Sequence, residues 1–395
     1  MKKNLLPVAA AGLLLSLIIV VSYFFLFSTP NVIKPKAFGG EKYDSARAMV
    51  IDEKNNFILA GMTMSYGPGY VNPYWLKISP SGRLIKQQAY GGKGDDRILA
   101  ITARRDSGYM MAGHTNSFGA GGQDVFLLRV DENGKQVAVK TFGGKETEEG
   151  RSIIQGNEGG YLICGASASF GPGNYSAYVI KTDSDGNCVW AKTYGGVNVS
   201  QAYFAAGTDG GYLIAGDTTD GNLGKRDMWL FKLDGQGVML WEKFYGGIHS
   251  DTASCVFTEG ENIMLAGDTG IGQGRYSDMY LAKLGPEGGI IWEKVYSMAG
   301  FQSLKSAAGS KDGGFILAGV TAEADGRGQT DIIIIKTDSS GDVLWTKTYG
   351  GSQDDFAAAV AETADGKIAL AGWTNSMGAG DYDVYFFKAG SEGEF

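Results

Sequence analysis

The chain of 395 residues carries 62 Gly but only 8 Pro, with 44% hydrophobic and 12% aromatic residues. Such a composition supplies a large core and excludes collagen-like or intrinsically disordered sequence. With 35 basic and 43 acidic residues the formal charge is −8, so no basic surplus exists to grip a phosphate backbone and nucleic acid is excluded as the main partner.

The first element expected is a membrane anchor. Residues 1–4 hold Lys2 and Lys3, and residues 5–28 are uncharged. A helix of that length crosses roughly 30 Å of hydrocarbon. It ends in Tyr23-Phe24-Phe25-Leu26-Phe27, without the small residues of a cleavage site, so an uncleaved signal-anchor is favoured over a secreted product. Lys2 and Lys3 keep the N-terminus in the cytoplasm. The rest, joined through residues 29–31, is expected to be extracytoplasmic.

Residues 32–395 repeat one unit. An aromatic-Gly-Gly triplet begins at Phe38, Tyr90, Phe142, Tyr194, Tyr245 and Tyr349, and a degenerate copy begins at Tyr296. Spacings are 52, 52, 52, 51, 51 and 53 residues. Each interval also contains a small-Gly-x-Thr/Ser motif, ending at Thr63, Thr115, Ser167, Thr218, Thr269, Thr321 and Thr374. Within a unit, turn residues divide four short segments rich in β-branched and aromatic side chains, here named strands A to D. In the fourth they fall near Ala202 to Ala206, Tyr212 to Thr218, Asp227 to Leu233 and Val238 to Tyr245. The fold class expected is all-β, a seven-bladed propeller of four-stranded blades. The seventh unit lacks a strand D, and residues 32–38 align without gaps on strand D at Val343 to Tyr349. The N-terminal strand should therefore pair into the last blade and close the ring, which removes an exposed edge. Strand D then enters from the membrane side, so the B–C loops and D–A crossings should face away from the bilayer.

Residues repeated in every blade are expected to serve structure. A hydroxyl–carboxylate bond closing the B–C loop is expected between Thr63 and Asn72 and their counterparts, such as Thr115/Asp124 and Thr374/Asp383. The basic residues Lys77, Arg129, Lys181, Lys232, Lys283, Lys336 and Lys388 should lay their stems over neighbouring strands with the charge at water. An acidic ring of Asp44, Asp96, Glu148, Asp251 and Asp355 is expected at the channel mouth, offset by Arg47, Arg151 and Lys305. No cofactor is expected, Ca²⁺ being the alternative at that ring, although no Asp-x-Asp-x-Asp loop accompanies it. Nothing in the spacing of His114 and His249 suggests a metal site. Cys164, Cys188 and Cys255 should be buried thiols, the first two too far apart for a disulfide.

The copies differ mainly in the B–C loops. Blades 1, 2, 3 and 7 carry Tyr66, Tyr70, Phe118, Phe170, Tyr175, Met377 and Tyr382, whereas blades 4 to 6 carry Asp220, Lys225, Arg226, Arg275, Glu323, Asp325 and Arg327. Partner contact is expected at Tyr66, Tyr70, Phe118, Phe170, Tyr175 and Tyr382, because aromatic side chains anchor interfaces.

The Tyr-Gly-Gly, Asp-Gly-Gly-Tyr and Ala-Gly-x-Thr motifs resemble propeller repeats of bacterial and archaeal extracytoplasmic proteins over residues 32–395. Trp190, Trp241, Trp292 and Trp345 are distantly similar to the marks of quinone-type propeller blades. The resemblance implies the propeller fold and few assigned activities; the anchor and the B–C loops lead to the expectation of a membrane-anchored module binding a protein, peptide or glycan through its distal face. The alternatives are a propeller enzyme (hydrolase, lyase or quinone-dependent oxidoreductase) working at the channel mouth, and a structural cell-surface component.

Overall fold

The computed structural model describes residues 32–395 apart from 157–158, 222, 272–275 and 323–328. The expected anchor at 5–28 lies outside the described residues, as do Arg275, Glu323, Asp325 and Arg327. Among the described residues no helix is long and apolar enough to cross a membrane.

The described residues form seven antiparallel four-stranded sheets. Six contain strands consecutive in sequence, and the seventh joins the first strand, Ile33–Phe38, to the last, Asp383–Ala389. Phe38 pairs with Val384 and Ile33 with Lys388, just as Tyr349 pairs with Ile332 one blade earlier. The chain is thus a seven-bladed propeller closed by its N-terminal strand. Strands B and C read as unbroken buried runs because each blade is covered by both neighbours; Phe57–Thr63 and Asp383–Ala389 are buried at every position. The core is accordingly divided among blade interfaces, as in the cluster of Leu230, Val256, Leu265 and Tyr280 between blades 4 and 5.

Where the aromatic that ends strand D is a tyrosine, its hydroxyl straps the blade to the next. The Tyr90 hydroxyl donates to Gly134 O at 2.6 Å, Tyr194 to Gly237 O at 2.7 Å, Tyr245 to Gly288 O at 2.7 Å and Tyr349 to Gly393 O at 2.9 Å. These acceptors sit in the C–D turn of the following blade. The strand-D tryptophans dock on the same turns: a Cβ at Gly237 would lie 2.9 Å from Trp190 and one at Gly341 2.8 Å from Trp292.

The glycine of Ala-Gly-x-Thr has a separate cause. In every strand A the ladder skips one residue, at Arg47, Leu99, Arg151, Tyr203, Ser254, Lys305 and Ala358. This β-bulge drives a strand-A carbonyl against strand B, so that a Cβ at Gly61 would stand 2.0 Å from Ser45 O and one at Gly372 1.8 Å from Phe356 O. Only glycine fits there. The seven bulged residues all line the central channel, a cavity of 620 Å³.

Two structural expectations are corrected. Not all of the recurrent basic residues carry their charge to water: Lys336 is 5% and Lys388 2% exposed. Three of the amines turn to carboxylates at the A–B end of their own blade, Lys336 to Asp312 at 2.7 Å, Lys283 to Glu259 at 2.8 Å and Lys77 to Asp52 at 3.2 Å, whereas Lys181 donates to Gly159 O at 3.0 Å and Arg129 reaches the exposed Asp185 at 3.1 Å. Cys188, on an outer strand with one side open to water, is exposed, while Cys164 and Cys255 are buried; none is in a disulfide.

Candidate site at the channel mouth

The acidic residues that open strand A are fully enclosed, with Asp44, Asp96, Glu148 and Asp355 at 0% and Asp251 at 1% exposure. They bond inside their own loops and do not line the channel. Asp44 accepts from Gly40 N at 2.7 Å, from Ser65 Oγ at 2.7 Å and from Thr63 Oγ1. Asp96, with Gly92, Ser117 and Thr115, and Glu148, with Gly144 and Ser167, repeat that arrangement. Asp251 takes Gly247 N and Thr269, and Asp355 takes Gly351 N and Ser376. The strand-B hydroxyl therefore serves the residue opening strand A, and not the one opening strand C as expected, although the register sets it opposite both, Thr63 facing Asp44 on one side and Asn72 on the other. Asn72, Asp124, Asp227 and Asp383 instead receive loop N–H groups, from Gly69 at 2.8 Å, Ala120 at 2.9 Å, Leu223 at 3.1 Å and Ala379 at 2.7 Å. Among the described residues no three of His, Cys, Asp and Glu converge as a metal-binding group.

Three loop aromatics share one frame and lean on their own blade. Tyr66 stacks near Tyr74 and donates to Gly39 O at 2.9 Å, Phe118 stacks on Phe126, and Phe170 packs on Tyr178. Each still leaves about two-fifths of its surface free. Tyr70 is 67% exposed. Tyr175 is half-buried, its carbonyl accepting Ser200 N at 2.9 Å. Tyr382 turns inward, 5.1 Å from Tyr43 and 6.2 Å from Phe356.

That inward turn joins the loop face to an asymmetric ring at the channel mouth. The ring is built from two positions per blade, the second residue of the strand-A motif and the x of Ala-Gly-x-Thr, which face each other across the ladder. The pairs are Ser45/Met62, Arg97/His114, Glu149/Ala166, Gln201/Asp217, Thr252/Asp268, Ser303/Val320 and Phe356/Trp373. The bulged residue of each strand stands just below.

Arg151 illustrates the chemistry: it binds Glu149 at 3.0 Å and Gln201 at 2.7 Å and lies 4.7 Å from the Tyr203 ring centroid. Asp217 is fully buried and pairs with Arg226 at 3.1 Å; burial raises its pKa despite that arginine. Asp268 accepts from Ser303 Oγ at 2.8 Å and Leu304 N at 2.5 Å. Burial pushes its pKa up to about 6, opposed by those bonds and Lys305. Burial lowers the pKa of His114, and Arg97 and Arg151 act in the same direction. On the blade 7 and blade 1 side, Phe356 and Trp373 stack at 5.0 Å and 14°, and the Arg47 guanidinium lies 4.0 Å over Trp373. Arg47, Arg151 and Lys305 do not offset the acidic ring as expected; they belong to the channel.

Arg97, Asp217, Asp268, Phe356 and Trp373 are not among the site residues expected from the sequence. A signal was available, since the x of Ala-Gly-x-Thr is the one position of that motif at which the copies disagree outright.

No family model matches the chain, and no curated protein matches it. Solved structures do. The WD40 β-propeller domain of Doa1 superposes with a TM-score of 0.56 at 11% identity, covering 90% of this chain and 96% of that one. The Pan2 WD40 domain of Neurospora crassa gives 0.55 at 12%, covering 87% and 88%. BBS1N, solved in complex with ARL6DN, gives 0.52 at 9%, covering 90% and 96%. At such identities the likeness is one of fold alone, and it agrees with the seven closed blades of the β-propeller.

Proposed function

We propose that the chain is a membrane-anchored, extracytoplasmic binding or scaffolding module, held through residues 5–28 and engaging a protein partner with the face that carries the B–C loops and D–A crossings. One observation carries the reading: apolar side chains stand out of that face, with Ile248 at 76%, Val197 at 71% and Tyr70 at 67% exposure. Tyr66, Phe118 and Phe170 extend the same surface. Exposed apolar groups on a rigid scaffold favour association; the outer strands also expose apolar groups, such as Val189 and Leu344, but those of this face stand on loops, and a propeller of this outline, BBS1N, was solved in complex with ARL6DN. A peptide or glycan would use the same aromatic loops.

The test is site-specific photo-cross-linking in intact cells, with a photoreactive residue at Tyr70, at Ile248 or, as control, at Val189 on an outer strand. A discrete adduct from Tyr70 and Ile248 with none from Val189 is expected; adducts from Val189 alone would reverse the assignment of the face. Protease added outside the cells should digest the propeller, and full protection would refute the topology.

A further inference from the structure

Two arginines at the channel mouth stand without a counter-charge. Arg47 rests on Trp373, which is itself stacked with Phe356. Arg97, in the adjacent blade, has a buried Nε with no hydrogen-bond partner. Among the described residues neither guanidinium makes an ion pair, whereas the neighbouring Arg151 and Arg226 each hold a carboxylate at 3.0 and 3.1 Å. Burial lowers the Arg47 pKa from its usual value, and the Arg97 charge presses in the same direction. Two like charges drawn partly out of water are destabilising unless something neutralises them. A chain with 43 acidic residues does not lack carboxylates to place there.

We propose that Arg47 and Arg97 form the anion-recognition pair of a small-molecule site at the channel mouth, for a ligand carrying a carboxylate or phosphate on an apolar body. The proposal deepens the reading of this face as a binding face. Stacking on Trp373 fixes the plane of the Arg47 guanidinium and leaves its N–H edges free, the geometry that takes an oxyanion through two parallel bonds. Behind the pair the channel offers 620 Å³ lined by Met49, Leu99, Tyr203, Phe204 and Lys305, within the roughly 300–1,000 Å³ of small-molecule sites. Lys305 adds a further cation along the wall.

The test is titration of the purified full chain with citrate, phenyl phosphate and, as uncharged control, benzyl alcohol, followed by calorimetry and tryptophan fluorescence. Saturable binding of at least one anion, weakened by salt, is expected, and the preferred anion separates carboxylate from phosphate. Arg47→Gln and Arg97→Gln should each weaken that binding about tenfold or more, while the thermal midpoint of the unliganded protein stays level or rises because a repulsion is removed. Arg47→Lys should recover part of the affinity without the stacking signal in fluorescence. Absence of saturable anion binding, or binding indifferent to both Gln variants, overturns the proposal. A lowered midpoint in both Gln variants would assign the pair to structure instead and overturn it equally. Cross-linking at Tyr70 should persist in Arg47→Gln, so the two readings can fail separately.

Discussion

Tyr245 shows what a repeated letter does and does not disclose. Its recurrence at blade ends is plain in the sequence, but the acceptor, Gly288 O in the next blade, lies across an interface that no local pattern reveals. Phe38 and Phe142 mark the junctions that lack this hydroxyl. Tyr245→Phe leaves the buried carbonyl unpaired and should lower unfolding free energy by about 1 kcal/mol in urea titration; an unchanged midpoint would show the strap to be redundant with ring packing. Asp268 gives a pH signature. Its folded pKa of about 6 lies above that of an unfolded aspartate, near 3.9, so its contribution to stability is complete below about pH 4 and declines as pH rises through 6. The thermal midpoint of the native chain should therefore drop relative to Asp268→Asn between pH 4 and 7. Parallel profiles for the two proteins would exclude that titration.

At the scale of the strand, the frame was largely legible. Strand C of the fourth blade runs Asp227–Asp234 and strand B Gly211–Thr218, within a residue of the sequence reading, because turn glycines bracket them. The permuted closing strand was legible too, since residues 32–38 match a strand D and nothing else. The seven bulges were not. A bulge adds one residue to a strand and leaves its composition unchanged, and its trace, the glycine of Ala-Gly-x-Thr, reads equally well as a turn. Deleting residues 1–38 would uncover the edge of Asp383–Ala389, where Phe386 now pairs with Lys36. Unpaired edges template association. The truncated chain should self-associate with rising concentration in sedimentation velocity, and a stable monomer would show that the ring holds without its clasp.

Across the whole molecule, charge is distributed against its own balance. The chain as a whole carries a formal charge of −8, yet the channel is lined by Arg47, Arg151 and Lys305 with Asp268 as the one carboxylate among its described lining residues. No composition statistic can express that inversion, since it depends on which strand-A residue the bulge turns inward. The same bulge has an evolutionary corollary. Because the skipped residue contributes nothing to the ladder, arginine, leucine, tyrosine, serine, lysine and alanine all occupy that position in one protein without altering its blades. Natural selection, or a mutagenesis library confined to those seven codons, can rewrite what the pore accepts while the toroid around it is left undisturbed.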